Sequence, residues 1–354
     1  MGAEAVDAAA PAHYNAAGSI QLGTYAVVGS LMVEYCVTPE GTSFSGFLGG
    51  CAAYAASGAR VWLPDVSVVS LVGCDFPNDL IQRLALNRID VSCIKVIQEA
   101  AEHRRFYACP APGEKTSRNP PSHYLRLGLP LPKELIDIAS TAEAAWTGTP
   151  PLTMGSLLAS LSGKSRAFSA VHVCPTDYPG STALPLRMRE LGATVVTLDP
   201  DPSFMEPYCL RDLPAVVKGL SAFLPSLEEA QQLFSQFPTG TWEMAEAISE
   251  MGCETVVIKS GAQGQLVWDS RQNRRWIVPA YPSRVRDIQG IGDAYCGGFL
   301  AGLGETGDAL EAALRGSVSA SLSIEGTGAL YPLDSHPRLA EARLEFLRKM
   351  VKMA

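Results

Sequence analysis

Along most of the chain, short apolar runs alternate with amphipathic or small-residue stretches. Residues 24–33 (Thr-Tyr-Ala-Val-Val-Gly-Ser-Leu-Met-Val) are apolar and rich in β-formers, which predicts one buried strand ended by Glu34. Gly49-Gly50 opens an alanine-rich helix over 51–59; 66–73 predict a second strand and 76–87 a second helix. Residues 91–108 place β-formers around a charged centre, the pattern of an edge hairpin or flap. Residues 110–132, dense in Pro, Gly and Ser, predict an irregular excursion, and Pro150-Pro151 and 162–165 mark more loop. Strands at 171–174, 194–198, 220–224 and Thr255–Lys259 then alternate with helices at 181–191, 227–237 and 242–251. Residues 265–268 and 276–278 predict a meander, and helices follow at 309–324 and 338–352. This rhythm predicts an α/β fold, with a parallel sheet covered on both faces. Ligands on such sheets bind at the C-terminal ends of the strands.

The organising stretch is Asp287-Ile288-Gln289-Gly290-Ile291-Gly292-Asp293, a glycine-rich turn running into a small-residue, apolar helix. The N–H groups of Ile291, Gly292 and Asp293 would be left unpaired at the helix N-terminus, which attracts anions and phosphate above all. Asp293 has two readings. It is the base that takes a proton from a hydroxyl attacking a phosphate, or it caps the helix. Glu34, at the end of its strand, either meets a ligand or is a solvated strand end. Ser260-Gly261-Ala262-Gln263-Gly264 follows the strand Thr255–Lys259 and either wraps a nucleotide or is an ordinary glycine turn. Glu229, in the first turn after 220–224, either orients a magnesium-bound water or is an acid favoured at a helix N-terminus.

Composition narrows the partners. A net charge of −8 and no cluster of Lys and Arg argue against a nucleic-acid surface. Nine scattered cysteines without a Cys-x-x-Cys pair suit a reduced, cytoplasmic protein better than a disulfide framework or zinc site. His13, His103, His123, His172 and His336 read as surface or locally bonded residues. Residues 1–19, rich in Ala, predict a disordered tail rather than a signal peptide. Glu34 interrupts the longest apolar run, so no membrane span is expected.

Taken in order, the Gly-Gly entry near residue 50, the acidic helix start near 226, the Gly-x-x-Gly turn near 261 and the Gly-x-Gly-Asp turn near 290 resemble the ribokinase-like, PfkB-type carbohydrate kinase family. The resemblance runs from about Thr24 onward, and Asp287-x-x-Gly290-x-Gly292-Asp293-Ala294-Tyr295-x-Gly297-Gly298-Phe299 is its most specific part. It implies one kinase domain over 20–354, a three-layer αβα sandwich with a mostly parallel central sheet. A small β lid would be built from segments at about 34–46 and 91–109.

The resemblance further implies transfer of the ATP γ-phosphoryl group to a hydroxyl of a sugar, nucleoside or related small molecule, with Mg2+. It makes Asp293 the base and the backbone of Gly290, Ile291, Gly292 and Asp293 the anion hole. Ser260, Gly261, Gly264 and Ser317 would line the nucleotide site, and Glu229 would support magnesium through water. Glu34, Gly49, Gly50, Tyr54 and Asp287 would face the acceptor. The lid would allow a homodimer, as in some relatives.

Four positions depart from the family pattern. Glu34 stands for the usual Asp, Tyr54 for the Asn of Gly-Gly-x-x-x-Asn, and Ser226 for the Asn of Asn-x-x-Glu. Gln289 stands for the threonine of a monovalent-cation loop, which puts potassium activation in question. A catalytically silent sensor on the same fold is the second reading. Retention of Asp293 with both glycines argues against it, since a pure binder gains nothing from an acid facing a phosphate. A nicotinamide-dependent enzyme would need Gly-x-Gly-x-x-Gly after the first strand, which Gly29-Ser30-Leu31-Met32 does not supply.

Overall fold

A computed structural model of the chain describes residues 13–14, 20–21, 24–111, 113–136, 157 and 167–354. The expected loops at Pro150-Pro151 and 162–165 lie outside the described residues. So does most of the expected tail at 1–19, where β1 (His13–Tyr14) pairs antiparallel with β2 (Ile20–Gln21).

The first predicted strand is in fact two, in two different sheets. β3 (Tyr25–Val28) lies inside the main sheet and β4 (Met32–Val37) belongs to a separate three-stranded lid. The chain leaves the main sheet at Gly29, where a Cβ would sit only 2.7 Å from Cys174 Cβ. Uniform apolarity hid the break because both strands are buried along their whole length. Glu34 therefore does not end a core strand but lies within a lid strand.

The lid continues with β5 (Ser43–Gly49), antiparallel to β4. Then come α1 (Cys51–Arg60), β6 (Val66–Val72), α2 (Asn78–Leu86), β7 (Ile89–Asp90), β8 (Ile94–Val96) and β9 (Arg104–Ala108). The expected hairpin at 91–108 is not one. β8 pairs with β6 in the main sheet, and only β9 joins the lid, parallel to β4. The lid segments expected at about 34–46 and 91–109 are corrected to these three strands. The region read as irregular holds a short helix, α3 (Pro120–Arg126).

The second half follows the predicted alternation. It runs β10 (Ala170–Val173), α4 (Tyr178–Glu190), β11 (Val195–Leu198), α5 (Pro214–Val217), β12 (Ala222–Phe223), α6 (Leu227–Leu233), α7 (Thr241–Glu250) and β13 (Thr255–Lys259). The meander is β14 (Gln265–Asp269) and β15 (Arg274–Val278). It is followed by α8 (Ile291–Thr306), α9 (Ala309–Ser323) and α10 (Pro337–Arg348). The last helix stops short of the expected 352, because β16 (Lys352–Met353) pairs with β15 at the sheet edge.

The main sheet runs β16-β15-β14-β13-β12-β11-β10-β3-β6-β7 and is parallel from β13 to β7. Alternate side chains of its strands enter two cores. Ala26, Val28, Val196 and Val256 pack under α4 to α7. Val27 and Val68 pack with α1 on the other face, where Val257 packs with α8 and α9. This is a three-layer α/β sandwich with a small β lid.

α1 and α8 touch through their backbones. A Cβ at Gly297 would fall 1.8 Å from the carbonyl oxygen of Ala55, and one at Gly58 2.0 Å from that of Ala294. The small residues that the sequence puts in both helices are what let their backbones pack this closely.

Candidate active site

Two strand ends supply charge. Asp199 directly follows β11, Lys259 ends β13, and Ser226 lies beside Lys259 in an isolated parallel bridge. Lys259 Nζ donates to Asp199 Oδ1 at 2.7 Å, and the Cys296 thiol lies 3.5 Å from Asp199 Oδ2. Burial works against the Lys259 ammonium, but Asp199, Cys296 and Glu229 outweigh it and hold its proton firmly. The ammonium lies 3.8 Å from where a Cβ on Gly292 would be, so it sits beside the first turn of α8.

That turn has the expected form. Gly290 is the N-cap, in the left-handed region at φ 70° and ψ 7°, and supplies no side-chain cap. Among the described residues, the amides of Ile291, Gly292 and Asp293 donate to no backbone or side-chain oxygen. With the helix dipole behind them they form a ready anion site. The carboxylate of Asp293 is not the helix cap and accepts no hydrogen bond among the described residues. Burial pushes its pKa up to about 7, the Cys51 sulfur adds to this, and Lys259, Arg105 and Lys115 pull the other way. A carboxyl poised at neutral pH suits a general base.

The acceptor-side expectations meet side chains already occupied by one another. Glu34 is fully buried; its Oε2 accepts from Tyr54 Oη at 2.8 Å, and its Oε1 from Gln289 Nε2 at 3.1 Å and Gly50 N at 3.3 Å. Arg105, from lid strand β9, stands 3.6 Å from Glu34 Oε1. Gly49 has no room for a side chain because Glu34 would lie 2.0 Å from its Cβ. Asp287, expected at the acceptor, is buried, and both of its oxygens are engaged. Oδ2 accepts from Tyr107 Oη of the lid at 2.6 Å and Oδ1 from Gln289 N at 2.9 Å. Lys115 Nζ completes the seam between the lid and the glycine turn by donating to Gln289 Oε1 at 2.9 Å.

On the nucleotide side, Ser260 N donates to Gly264 O at 2.7 Å, closing a tight loop. Gly261 at its tip has open space where a Cβ would be. Ser317 is buried and exchanges hydrogen bonds with Gln265 at 2.9 and 3.1 Å, so its hydroxyl ties α9 to β14 instead of facing a ligand. Ser226 and Glu229 form a reciprocal capping box, with Ser226 N donating to Glu229 Oε2 at 2.7 Å. This uses one carboxylate oxygen of Glu229. Burial and the nearby Asp199 both push its pKa up.

Lys259, Asp199, Arg105 and Lys115 were not singled out from the sequence. Lys259 and Asp199 did carry a signal, as charged residues at the C-terminal ends of apolar strands. Arg105 and Lys115 carried none, because the lid pairing that brings them in is not local. Among the histidines, His172 is buried against Thr197 at 2.9 Å, and burial pushes its pKa down to about 3; His103 accepts from Gly73 N at 2.8 Å. Both are locally bonded, as expected. No described helix is long and apolar enough to cross a membrane.

Residues 181–336 match the model of the pfkB family carbohydrate kinases. A cytidine kinase of Thermococcus kodakarensis is 26% identical over 287 residues, covering 78% of this chain and 87% of the relative. Among solved structures, an E. coli protein provisionally assigned as ribokinase II, in complex with ATP and Mg2+, superposes with a TM-score of 0.67. It is 18% identical, over 92% of this chain and all of that one. A Burkholderia thailandensis nucleoside kinase in complex with inosine superposes with a TM-score of 0.65 at 16% identity, over 91% of this chain and 97% of that one.

Proposed function

We propose that the chain is an ATP-dependent small-molecule kinase of the ribokinase-like, PfkB-type carbohydrate kinase family, with Asp293 as its general base; the match of residues 181–336 to the family model supports this. The observation that carries the reading is a carboxylate with a pKa near 7 beside three undonated amides at the start of α8. Asp293 takes the proton of the acceptor hydroxyl. The oxygen then attacks the γ-phosphorus as the bond to the bridging oxygen of ATP breaks, and ADP leaves. The amides of Ile291, Gly292 and Asp293 meet the charge developing on the transferred group, and the Lys259 ammonium lies beside it. Ser260, Gly261 and Gly264 form the loop against which the nucleotide lies.

Mg2+, when bound with the nucleotide, would supply charge neutralisation at the phosphates. Glu229 keeps one oxygen outside its capping box, and Asp199 stands near it. Two carboxylates close to a phosphate site fit an ion that retains its waters. Glu34, Tyr54, Gly49, Gly50 and Arg105 would border the acceptor beneath the lid. A nucleoside is the favoured acceptor class, on the names of the cytidine kinase relative and the inosine-bound fold neighbour. The outer lid strand β5 exposes Phe44, Ser45 and Gly46, the face on which a second copy would pair. Nine free cysteines fit a reducing cytoplasm.

The test is ADP release with Mg2+ across nucleosides, sugars and polyols, wild type beside Asp293→Asn. Turnover with one acceptor that the variant loses supports the kinase. ATP binding with no acceptor turned over favours the silent sensor.

A further inference from the structure

Three of the nine cysteines, Cys51, Cys174 and Cys296, converge at the C-terminal edge of the sheet, and Cys51 has features the phosphoryl transfer does not use. It is the first residue of α1 and is partly exposed, whereas Cys174 is buried. Its sulfur accepts from Ser30 N at 3.3 Å, a donor that favours a thiolate, and lies 3.3 Å from Ser30 Oγ, a pair in which either atom can donate. Cys174 borders the same gap. A Cβ built on Gly29 would lie 2.9 Å from the Cys51 sulfur and 3.0 Å from the Cys174 sulfur, so the two sulfurs are no farther apart than those distances together. The absent side chain of Gly29 leaves that space free. Cys174 is fixed on the other side by its own amide, which donates to Val28 O at 2.9 Å.

We propose that Cys51 is an oxidisable thiol of the active site, oxidised by a peroxide and resolved by Cys174 into a reversible disulfide that halts phosphoryl transfer. In the first step the Cys51 thiolate takes one oxygen of hydrogen peroxide. An S–O bond forms, the O–O bond breaks and hydroxide leaves; the sulfur is oxidised to a sulfenic acid and the peroxide is reduced to hydroxide. In the second, the Cys174 sulfur attacks that of Cys51. The S–S bond forms, the S–O bond breaks, and the oxygen departs as water with the Cys174 proton. The environments suit these roles. The neighbouring Cys174 thiol and the hydrogen bonds with Ser30 bring the Cys51 pKa down to about 6 against the effect of burial, while burial pushes that of Cys174 well up. The consequence for catalysis rests on the kinase reading. A disulfide would remove the charge that Cys51 presents to Asp293 and draw the start of α1, which carries the Gly50 amide bound to Glu34, toward β10.

The experiment treats the full chain with hydrogen peroxide, alkylates the remaining thiols and maps the peptides by mass spectrometry. The expected result is a cross-linked Cys51–Cys174 species lighter by two hydrogens. It separates again with dithiothreitol, and activity is lost and regained in proportion. In Cys174→Ser the same treatment with dimedone labels Cys51 instead. A Cys51 that stays reduced while the exposed Cys74 oxidises overturns the proposal, as does oxidation of Cys51 with no Cys174 partner. Peptide mapping does not depend on turnover. A protein that cross-links but never phosphorylates sinks the kinase reading and spares the thiol pair. An active kinase without the cross-link does the reverse.

Discussion

Lys259 and Asp199 meet at 2.7 Å although their strands, β13 and β11, are separated in the sheet by β12. Both side chains are largely buried, so each ion depends on the other for its solvation. Lys259→Met should cost roughly 3–5 kcal/mol of stability, because it leaves Asp199 without its counter-charge. Chemical denaturation measures this. Lys259→Met combined with Asp199→Leu should recover most of the stability but little of the kcat, if the ammonium serves the phosphoryl group. Recovery of both would make the pair structural.

The raised pKa of Asp293 makes two pH predictions with opposite appearances. As a base it must be ionised, so kcat/KM should fall about tenfold per pH unit below 7 and level off above it. For stability the sign reverses. The folded state holds the Asp293 proton up to about pH 7 while the unfolded chain releases it near the ordinary Asp value, so this group lowers stability as pH rises between the two. Asp293→Asn removes the titration. Its melting temperature should exceed that of wild type at pH 8, and the gap should shrink as pH falls toward 4, while kcat drops by roughly 10²–10⁴. A gap independent of pH would count against the raised pKa.

The Cys51 sulfur is among the groups that push Asp293 up, second only to burial. Cys51→Ala takes away that negative neighbour and should move the acid limb of the pH–rate profile to lower pH. The profile is the readout because a loss of packing alone would scale the rate without moving the limb.

How far the sequence carried can be seen at single residues. β13 was readable to the residue because Thr255–Lys259 is an apolar run bounded by turn signals, and Asp293 was readable because its turn is a contiguous motif. The lid was not. Its central strand shares an unbroken apolar stretch with β3, and its pairing of Met32–Val37 with Arg104–Ala108 joins segments about seventy residues apart. Periodicity reports burial, not which sheet does the burying. Asp287 and Ser317 show the same limit at the site. The motif assigned them to the acceptor and nucleotide sides, but only the packing shows that Tyr107 and Gln265 already occupy their polar atoms.

Tyr107 anchors the lid to the catalytic turn through one buried hydrogen bond to Asp287, 2.6 Å long. Tyr107→Phe removes the donor and keeps the ring. It should cost roughly 1–3 kcal/mol by taking a hydrogen bond away from the buried Asp287 carboxylate. If lid docking forms the acceptor site, KM for the acceptor should rise more than KM for ATP. Equal changes in both would argue that the bond serves the fold alone.

Gly290 combines two constraints that a substitution would separate. Its φ of 70° disfavours a side chain by about 1–2 kcal/mol on conformational grounds. Independently, a Cβ there would lie 2.1 Å from Cγ of the Tyr54 ring, a collision that only movement of the ring or the turn can relieve. Gly290→Ala should therefore lose far more stability and activity than backbone strain alone predicts. Adding Tyr54→Ala clears the ring while leaving φ unchanged, so the double variant should regain stability relative to Gly290→Ala even though Glu34 loses its Tyr54 donor. Thermal denaturation of the single and double variants decides it. A double variant less stable than either single one would mean that the ring's bond to Glu34 outweighs its contact with the turn.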